Sequence, residues 1–418
     1  MTDRMLVLNA AELVTLRGPE RARTKAEMSQ LASIKDGAVA IQDGTIVDVG
    51  KSRYILKEHG ARGTTKIDAS GKVVMPGFVD PHTHLVFAGS REFEIGLKAK
   101  GKTYMQILQE GGGIFRTVRD TRAASADELY REGSRRLKSM LSHGSTTVEA
   151  KSGYGLDKEV ELRMLETVRM LDRDSPVTLV PTYLGAHAVP PEYKDKADDY
   201  VDFIVNEVLP EISKRQLAEF CDVFCEKGVF SVDQSRRVLL AAKSLGMKLK
   251  LHADELQRTG GAELAAELRV TSADHLAHPS DDGLVAMASK DVVGVLLPAT
   301  PYASMSGDYA DGRRLIDVGV PVALGTDFNP NCWNESMQFT ISLACFKMRM
   351  TPEEAITAAT MNAAAALGIE RKVGSIEQGK RGDLIVLDVP SHEHIPYRFG
   401  TNLCSTVVKE GRIVWSRT

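Results

Sequence analysis

Two histidines, His82 and His84, follow the apolar run "KVVMPGFVD". Residues i and i+2 of a strand point to the same face, so both imidazoles should project together from the end of that run. Two neutral imidazoles on one face are suitable ligands for a transition metal. Taken alone, the pair is equally compatible with two polar loop residues.

Further residues that could bind a metal or transfer a proton follow other apolar runs. His252 and Glu255 follow "KLKL", and Asp327 follows "VALGT". Three imidazoles and one carboxylate, from His82, His84, His252 and Asp327, suit Zn²⁺ or Fe with room for a water. The metal would lower the pKa of that water from about 16 toward 7. A satisfied polar histidine or an N-cap aspartate explains any one of these residues, whereas four together favour a metal site.

Eight short apolar runs alternate with amphipathic stretches in the middle of the chain. The runs are "VVMPGFVDPHTH", "STTVEAKSGY", "VTLVPTYLGAH", "CDVFCEKGVF", "KLKLHADE", "SADHLAH", "VVGVLLPAT" and "PVALGTDFNP". Helix-like stretches such as "DELYREGSRRLKSMLSHG" lie between them. This alternation predicts an α/β fold, a (β/α)₈ TIM barrel, in which the C-terminal ends of all strands meet on one face. An open doubly wound sheet is the alternative, but no G-x-G-x-x-G turn follows the first strand.

The two ends of the chain resemble each other and differ from the middle. β-branched runs flank Asp43 and Gly44 near the start and Glu410 and Gly411 near the end, which predicts two hairpins. We therefore expect a small composite β-sandwich of residues 1–73 and 374–418 around a catalytic barrel of residues 74–373. The stretch "PEEAITAATMNAAAALGI" predicts one Ala-rich helix for packing or subunit contact.

Composition excludes several classes of partner and location. The 418 residues carry a net charge of −3 without a long basic run, so neither nucleic acid nor an anionic membrane is expected as a partner. No apolar stretch has the length of a membrane span, and the N-terminus shows no signal peptide. Five cysteines without a framework favour a reducing, cytoplasmic location. Cys221 and Cys225 in "CDVFC" are interpreted as core residues.

The predicted architecture, together with "DPHTH", the histidine of the fifth run and "GTD" of the eighth, resembles the amidohydrolase superfamily. Some members hold two metals bridged by a carboxylated lysine on the fourth strand. Here the fourth run contains Lys227 among unsuitable neighbours, and Lys151 ends the second strand. The resemblance therefore implies one metal ion per chain, Zn or Fe.

Longer stretches narrow the resemblance. "DPHTHLVFAGSREFE", "EAKSGYGL", "TYLGAHAVP", "LHADE", "GTDFNPN" and "IPYRFGTN" closely resemble the imidazolonepropionase family, the ring-opening hydrolases of histidine degradation. The resemblance implies a small-molecule substrate, 4-imidazolone-5-propanoate, whose cyclic amide is hydrolysed to N-formimidoyl-L-glutamate. It also implies a homodimer.

The same resemblance implies roles for residues around the metal. Asp327 and Glu255 share the proton transfers, and His275 polarises the ring carbonyl. Arg91 suits the propanoate because a guanidinium fork binds a carboxylate through two hydrogen bonds. The substrate-binding residues are predicted to be Arg91, Tyr154, His187, Glu255, Asn329, Asn331 and Cys332. The family usually has glycine where this chain has Asn331, and His278, in the sixth run, is interpreted as structural.

Two other functions compete with ring opening. Ring deaminases of the same superfamily, acting on guanine or cytosine, also have a histidine followed three residues later by glutamate. Arg91 argues against them, because a neutral base has no carboxylate to bind. A non-catalytic scaffold protein is the other alternative, but such relatives typically lose metal ligands, and this chain keeps all four.

Overall fold

The computed structural model describes residues 3–102, 106–107 and 110–417. Its strands in this part of the chain are β1 Arg4–Ala10, β2 Glu12–Leu13, β3 Gly37–Gln42, β4 Thr45–Lys51, β5 Thr65–Asp68, β6 Val73–Pro76, β7 Phe78–Asp80, β8 Ser145–Lys151, β9 Thr178–Ala186, β10 Phe220–Cys225, β11 Lys248–Ala253, β12 Ser272–His275, β13 Val293–Leu296, β14 Val322–Leu324, β15 Leu384–Leu387, β16 Cys404–Lys409 and β17 Arg412–Ser416. Strands β7 to β14 form one sheet in chain order. Every pair of neighbours within it is parallel.

Hydrogen bonds between the segments that follow β7 and β14 close this sheet. The backbone N–H of Asp327 donates to the carbonyl of His82 at 3.0 Å, and that of His84 donates to the carbonyl of Phe328 at 2.8 Å. The first and last strands are thus neighbours, which confirms the predicted barrel. The same two bonds bring three of the predicted metal ligands together.

Helices cover the barrel and follow its strands. The α-helices described are Ser52–His59, Phe93–Ala99, Ile114–Ala123, Ala126–Ser142, Lys158–Asp174, Ala197–Phe203, Leu209–Lys214, Val232–Ser244, Gly261–Leu268, Asp281–Ser289, Ala299–Ser304, Gly312–Val318, Met337–Met348, Pro352–Ala358, Met361–Ala366 and His394–Tyr397. Side-chain caps begin the long ones: Ser125 accepts from the N–H of Glu128, and Ser231 from that of Gln234. None of the described helices is long and apolar enough to cross a membrane.

Two further sheets come from the chain ends. One has the order β4-β3-β1-β5 and the other β17-β16-β15-β6-β2, so the second combines strands from both termini. Apolar side chains from both sheets, such as Val39, Val74 and Val408, pack together in one common core. Both predicted hairpins are present, with two-residue turns in which every φ is positive, as a type I′ turn requires. The domain boundaries at 73/74 and 373/374 stay a prediction.

The run "KVVMPGFVD" does not form the single strand that its sequence predicts. It divides at Gly77, where β6 pairs with β15 and β7 pairs with β8. The N–H of Gly77 donates to the carbonyl of Asp383 at 3.0 Å. A Cβ atom at Gly77 would lie 2.3 Å from Thr146 Oγ1, so only glycine fits where the chain passes from one sheet to the other.

The Ala-rich stretch also differs from its prediction as one helix. It forms Pro352–Ala358 and Met361–Ala366 with a break between them. At the break, the carbonyl of Ala359 accepts a hydrogen bond from the N–H of Val79 in β7, at 3.1 Å. Helix propensity is therefore overridden by a tertiary hydrogen bond to the barrel.

The cysteines agree with the expectation from composition. Cys221 and Cys225 lie in β10 and are fully buried. Each of the five described cysteines is a free thiol. Burial, with the charge of Asp222 adding, raises the pKa of Cys221 well above its ordinary value, which makes it a poor nucleophile or ligand.

Arg136 stabilises the segment that follows the first two histidines. Its Nη1 donates to the carbonyls of Leu85 at 2.8 Å and Phe87 at 3.0 Å, and its guanidinium lies 3.6 Å from the centre of the Phe87 ring. Arg136→Met leaves two buried carbonyls without a donor, so the free energy of unfolding should fall by about 2–4 kcal/mol. Thermal denaturation measures the change. Arg135→Met, at a neighbouring side chain that is 67% exposed, is the control and should alter it by less than about 0.5 kcal/mol.

His392 connects strand β2 and the helix Pro352–Ala358 by contacting a carboxylate on each. Its Nδ1 lies 2.9 Å from Glu12 Oε1 and its Nε2 lies 3.3 Å from Glu353 Oε1. Burial opposes charge on both Glu12 and His392, but their hydrogen bond prevails: it lowers the pKa of Glu12 from 4.5 to about 2 and raises that of His392 above 6.5.

The stabilisation should therefore depend on pH. The contribution of Glu12 to the free energy of unfolding is present above pH 4.5 and is lost as the pH falls toward 2. The contribution of His392 is present below pH 6.5 and is lost as the pH rises through the folded pKa of His392. The difference in thermal midpoint between wild type and His392→Gln should be larger at pH 5.5 than at pH 9. An equal difference at both values would contradict this.

Candidate active site

The imidazoles of His82, His84 and His252 converge at the C-terminal mouth of the barrel. Their ligand atoms all lie within 4.8 Å of one another, and those of His82, His275 and Asp327 form a second group of the same spacing. Asp327 Oδ1 lies 3.5 Å from both His82 Nε2 and His84 Nε2. The structure thus brings together the four predicted metal ligands and places His275 beside them.

The unused atoms of this cluster fit a bound cation. His82 Nε2, His252 Nε2 and Asp327 Oδ1 are buried and have no hydrogen-bond partner among the described residues. Buried polar atoms without a partner are costly, and a cation would satisfy all three at once. Burial, with the charge of Lys151 adding, keeps the pKa of His82 well below 6.5, so its lone pair is available at neutral pH.

Two aspartates orient the imidazoles of His82 and His252 by contacting their Nδ1 atoms. His82 Nδ1 donates to Asp274 Oδ2 at 2.6 Å, and Asp222 Oδ2 lies 3.0 Å from His252 Nδ1. Burial alone would lower the pKa of His252, but the carboxylate of Asp222 raises it overall. With each Nδ1 facing a carboxylate, each Nε2 points toward the shared space, as in carboxylate–histidine–metal triads.

A fully buried ionic network supports these aspartates. Lys151 Nζ lies 2.7 Å from Asp222 Oδ2 and 2.9 Å from Glu149 Oε2. Lys250 Nζ lies 3.0 Å from Glu149 Oε1 and 3.8 Å from Asp274 Oδ2. Burial opposes the charge on Lys151, yet the three surrounding carboxylates raise its pKa above the ordinary value. Two ammonium groups thus face three carboxylates, which leaves one negative charge to favour a cation above them.

Four members of this network are not predicted from the sequence, although a signal for them is present. Glu149, Asp222, Lys250 and Asp274 all lie inside apolar strands, where charged residues are rare unless paired. In "VEAK" and "KLKLHA" the charged residues alternate with apolar ones, which places them on the face that lines the barrel interior. Lys151 is ion-paired within this network, and Lys227 is exposed beyond β10.

Acidic groups with different proton affinities flank the cluster. The hydroxyl of Thr300 donates to Asp327 Oδ2, while burial raises the pKa of Asp327 to about 6. Glu255 Oε2 lies 3.4 Å from His275 Nε2. Burial, with the charge of Asp327 adding, raises the pKa of Glu255 to about 8. One group suited to accept a proton and one suited to donate it therefore lie close to the metal cluster.

Aromatic rings form another wall of the site. The rings of His84 and His187 stack with centroids 4.9 Å apart, and the ring of Tyr154 lies 5.3 Å from that of His187. His187 Nδ1 donates to the carbonyl of Gly153 at 3.0 Å, which directs Nε2 away from the backbone. Burial lowers the pKa of His187 to about 3, so the ring is neutral. Tyr154 and His187, both predicted to bind substrate, thus lie against the metal cluster.

The remaining predicted binding residues lie around a neighbouring cavity of about 740 Å³, which Arg91, Asn331 and Cys332 line. Arg91 binds Glu94 through two bonds of 2.8 Å, from Nε and Nη2 to the two carboxylate oxygens. Asn329 Oδ1 accepts from the N–H groups of Asn331 and Cys332, so it shapes the turn beneath the cavity. Substrate binding by these residues stays a prediction.

His278 differs slightly from its expected position. The sixth barrel strand ends at His275, so His278 lies in the loop that follows and not in the strand. It lines a small cavity of about 120 Å³ together with Glu255 and His275. Its N–H donates to the carbonyl of Asp254 at 2.9 Å.

Comparison with known proteins places the chain in a family. Residues 73–414 match the amidohydrolase family. The chain is 51% identical over 414 residues to the imidazolonepropionase of Geobacillus kaustophilus, covering 98% of this chain and 97% of that protein. It is 48% identical over 409 residues to that of Alkaliphilus oremlandii, with the same shares covered. The chain belongs to the amidohydrolase family, among the imidazolonepropionases.

The solved structure of a guanine deaminase from E. coli has a TM-score of 0.72 at 15% sequence identity and covers 100% of both chains. At that identity, the likeness concerns the fold alone. The family model and the full-length relatives confirm the family membership that the motifs predict, whereas the deaminase alternative has only a shared fold in its favour.

Removing the carboxylate behind His82 should weaken metal binding. In Asp274→Asn the imidazole loses its charged acceptor and its fixed orientation, so the affinity for the metal should fall by about 10- to 100-fold. Equilibrium dialysis against chelator buffers, with elemental analysis of the protein, measures this. Asp281→Asn, at a side chain that is 85% exposed, is the control and should keep the wild-type metal content.

Proposed function

We propose that this chain hydrolyses the cyclic amide of 4-imidazolone-5-propanoate to N-formimidoyl-L-glutamate. The observation that carries the proposal is the full-length identity of 48–51% to curated imidazolonepropionases. The cluster of imidazoles and carboxylates at the barrel mouth supports it, because amide hydrolysis needs a polarised carbonyl, an activated water and a proton donor for the leaving nitrogen.

His82, His84, His252 and Asp327 would hold one metal ion per chain, Zn or Fe. The orphaned atoms of His82, His252 and Asp327 support this assignment. The ion would lower the pKa of a water toward neutrality and polarise the ring carbonyl. Asp222 contacts Nδ1 of His252 and Asp274 contacts Nδ1 of His82, so that the Nε2 atom of each imidazole would face the ion.

Asp327 and Glu255 share the proton transfers. Asp327, with a pKa of about 6, is ionised at neutral pH and accepts the proton that the attacking water loses. Glu255, with a pKa of about 8, is largely protonated and delivers a proton to the ring nitrogen as the carbon–nitrogen bond breaks. His275, 3.4 Å from Glu255, donates a hydrogen bond to the oxygen on which negative charge develops.

Tyr154 and His187 orient the substrate ring, and the cavity beside Asp327 accepts its propanoate arm. The neutral His187 stacks on His84 and exposes Nε2 as an acceptor for a ring N–H. Asn329 supports this side through the turn that carries Asn331 and Cys332. Arg91 lies on the same wall with its guanidinium bound to Glu94, and its role in this proposal is to bind the propanoate.

The remaining proposals concern location and assembly. Five free thiols suit a reducing compartment, so we place the protein in the cytoplasm. A homodimer is proposed by analogy with the family. Both suggestions are independent of the reaction itself.

Purified, metal-analysed protein tests the reaction directly. One assay follows the loss of 4-imidazolone-5-propanoate by its ultraviolet absorbance, and a second follows ammonia release from guanine and cytosine. Ring opening without ammonia release is expected, whereas ammonia release alone would move the function to deamination.

Glu255→Gln should lower kcat by about 10²- to 10⁴-fold with its metal content unchanged, because the amide cannot deliver a proton. Glu267→Gln, at a side chain that is 51% exposed, is the control and should keep wild-type activity. Full activity of the Glu255 variant would exclude this residue as the acid.

A further inference from the structure

One buried carboxylate, that of Glu161, organises the loop that follows the second barrel strand. Glu161 lies in the first turn of the helix Lys158–Asp174 and is only 1% exposed. Its Oε1 accepts from the N–H of Gly155 at 2.8 Å and from that of Leu156 at 2.9 Å. Its Oε2 accepts from the N–H of Gly153 at 3.0 Å. Three backbone donors of one loop thus converge on a single side chain.

The carboxylate is suited to this task because both of its oxygens are acceptors. Burial raises the pKa of Glu161, and the hydrogen bonds from Ser152 and from the loop N–H groups oppose this rise. Each of these bonds stabilises the ionised form, so the loop and the carboxylate stabilise each other.

The backbone of this loop needs such an anchor. Leu156 has a φ of +53°, a left-handed conformation that a bulky side chain adopts only where surrounding contacts hold it. Arg122 Nε donates to the carbonyl of Gly155 at 2.7 Å. That carbonyl and the N–H of Leu156 belong to one peptide group, so Arg122 and Glu161 hold the group at its two ends.

The anchored loop carries contacts to the metal cluster. Tyr154 lies between two glycines that donate to Glu161, and the centre of its ring is 5.5 Å from that of His84. The carbonyl of Gly153 accepts the hydrogen bond of His187 Nδ1 at 3.0 Å, which orients that imidazole. The influence of Glu161 on both rings therefore passes through the backbone of the loop.

We propose that Glu161 is a positioning residue, which sets the placement of Tyr154 and His187 and thereby the binding of the substrate ring. This assignment rests on the proposed function, in which these two side chains orient the ring. The neighbouring metal ligand has an anchor of its own, since the N–H of His84 donates to the carbonyl of Phe328 at 2.8 Å. Loss of the Glu161 carboxylate should therefore weaken substrate binding more than it slows the chemical step or changes the metal content.

Steady-state kinetics of Glu161→Gln tests the proposal. Whichever way the amide is turned, its NH₂ group faces at least one of the loop N–H groups, so an acceptor is lost. KM for 4-imidazolone-5-propanoate should rise about fivefold or more, while kcat stays within about threefold and elemental analysis gives the wild-type metal content. Glu159→Gln, at an exposed carboxylate two residues earlier in the same helix, is the control and should leave all three values unchanged.

A double-mutant cycle separates positioning from a general loss of stability. In the background of Tyr154→Phe with His187→Ala, Glu161→Gln should raise KM by less than about twofold, because the groups through which it acts are already removed. Hydrogen exchange of residues 152–157, followed by mass spectrometry, should be faster in Glu161→Gln than in wild type. An unchanged KM, an equal rise of KM in both backgrounds, or unchanged exchange would each overturn the proposal.

Arg122→Gln is a milder second variant, which releases the same peptide group at its carbonyl end. The Arg122 side chain is 29% exposed, so this variant should fold, and KM should rise by about two- to threefold with kcat unchanged. Thermal midpoints establish that each variant is folded. Should Glu161→Gln not fold, an unchanged KM in Arg122→Gln would overturn the proposal by itself. Absence of ring opening in wild type would instead refute the proposed function.

Discussion

The site depends on the contacts that two buried carboxylates make with the Nδ1 atoms of His82 and His252. Asp274 on His82 and Asp222 on His252 decide which nitrogen faces the metal position. These carboxylates are fully buried, so they are tolerated only because lysines lie between them. The metal cluster is therefore the outer layer of an ionic network that is buried in the barrel interior directly behind the histidines.

That network also explains why the barrel interior is polar where most cores are apolar. Thr182 Oγ1 donates to Glu149 Oε1 at 2.6 Å, and Ser272 Oγ donates to Asp274 Oδ1 at 2.7 Å. Lys250 donates to the carbonyl of Pro81 at 2.7 Å, directly before His82. Charges from four strands thus support the loop that carries the first ligands, and loss of any one would remove an ionic contact from its partners in a medium of low dielectric constant.

Burial also separates the roles of the acidic groups above the metal position. Asp327 and Glu255 are both carboxylates, yet their pKa values are about 6 and about 8. The hydroxyl of Thr300 stabilises the ionised form of the first, and the charge of Asp327 favours the protonated form of the second. Their mutual repulsion assigns acceptor and donor roles without a change of residue type.

The sequence by itself determined the barrel, the terminal hairpins and the residues of the metal cluster. Strand and helix periodicities are local, and a type I′ turn needs only residues such as Asp43 and Gly44. Only the tertiary structure decided the break at Gly77 and the pairing of Arg91 with Glu94, because both depend on what another element places nearby. The ionic network behind the histidines was likewise decided only by the tertiary structure. A charged residue in an apolar strand indicates that it has a partner, but the strand that supplies this partner is determined only when the barrel closes.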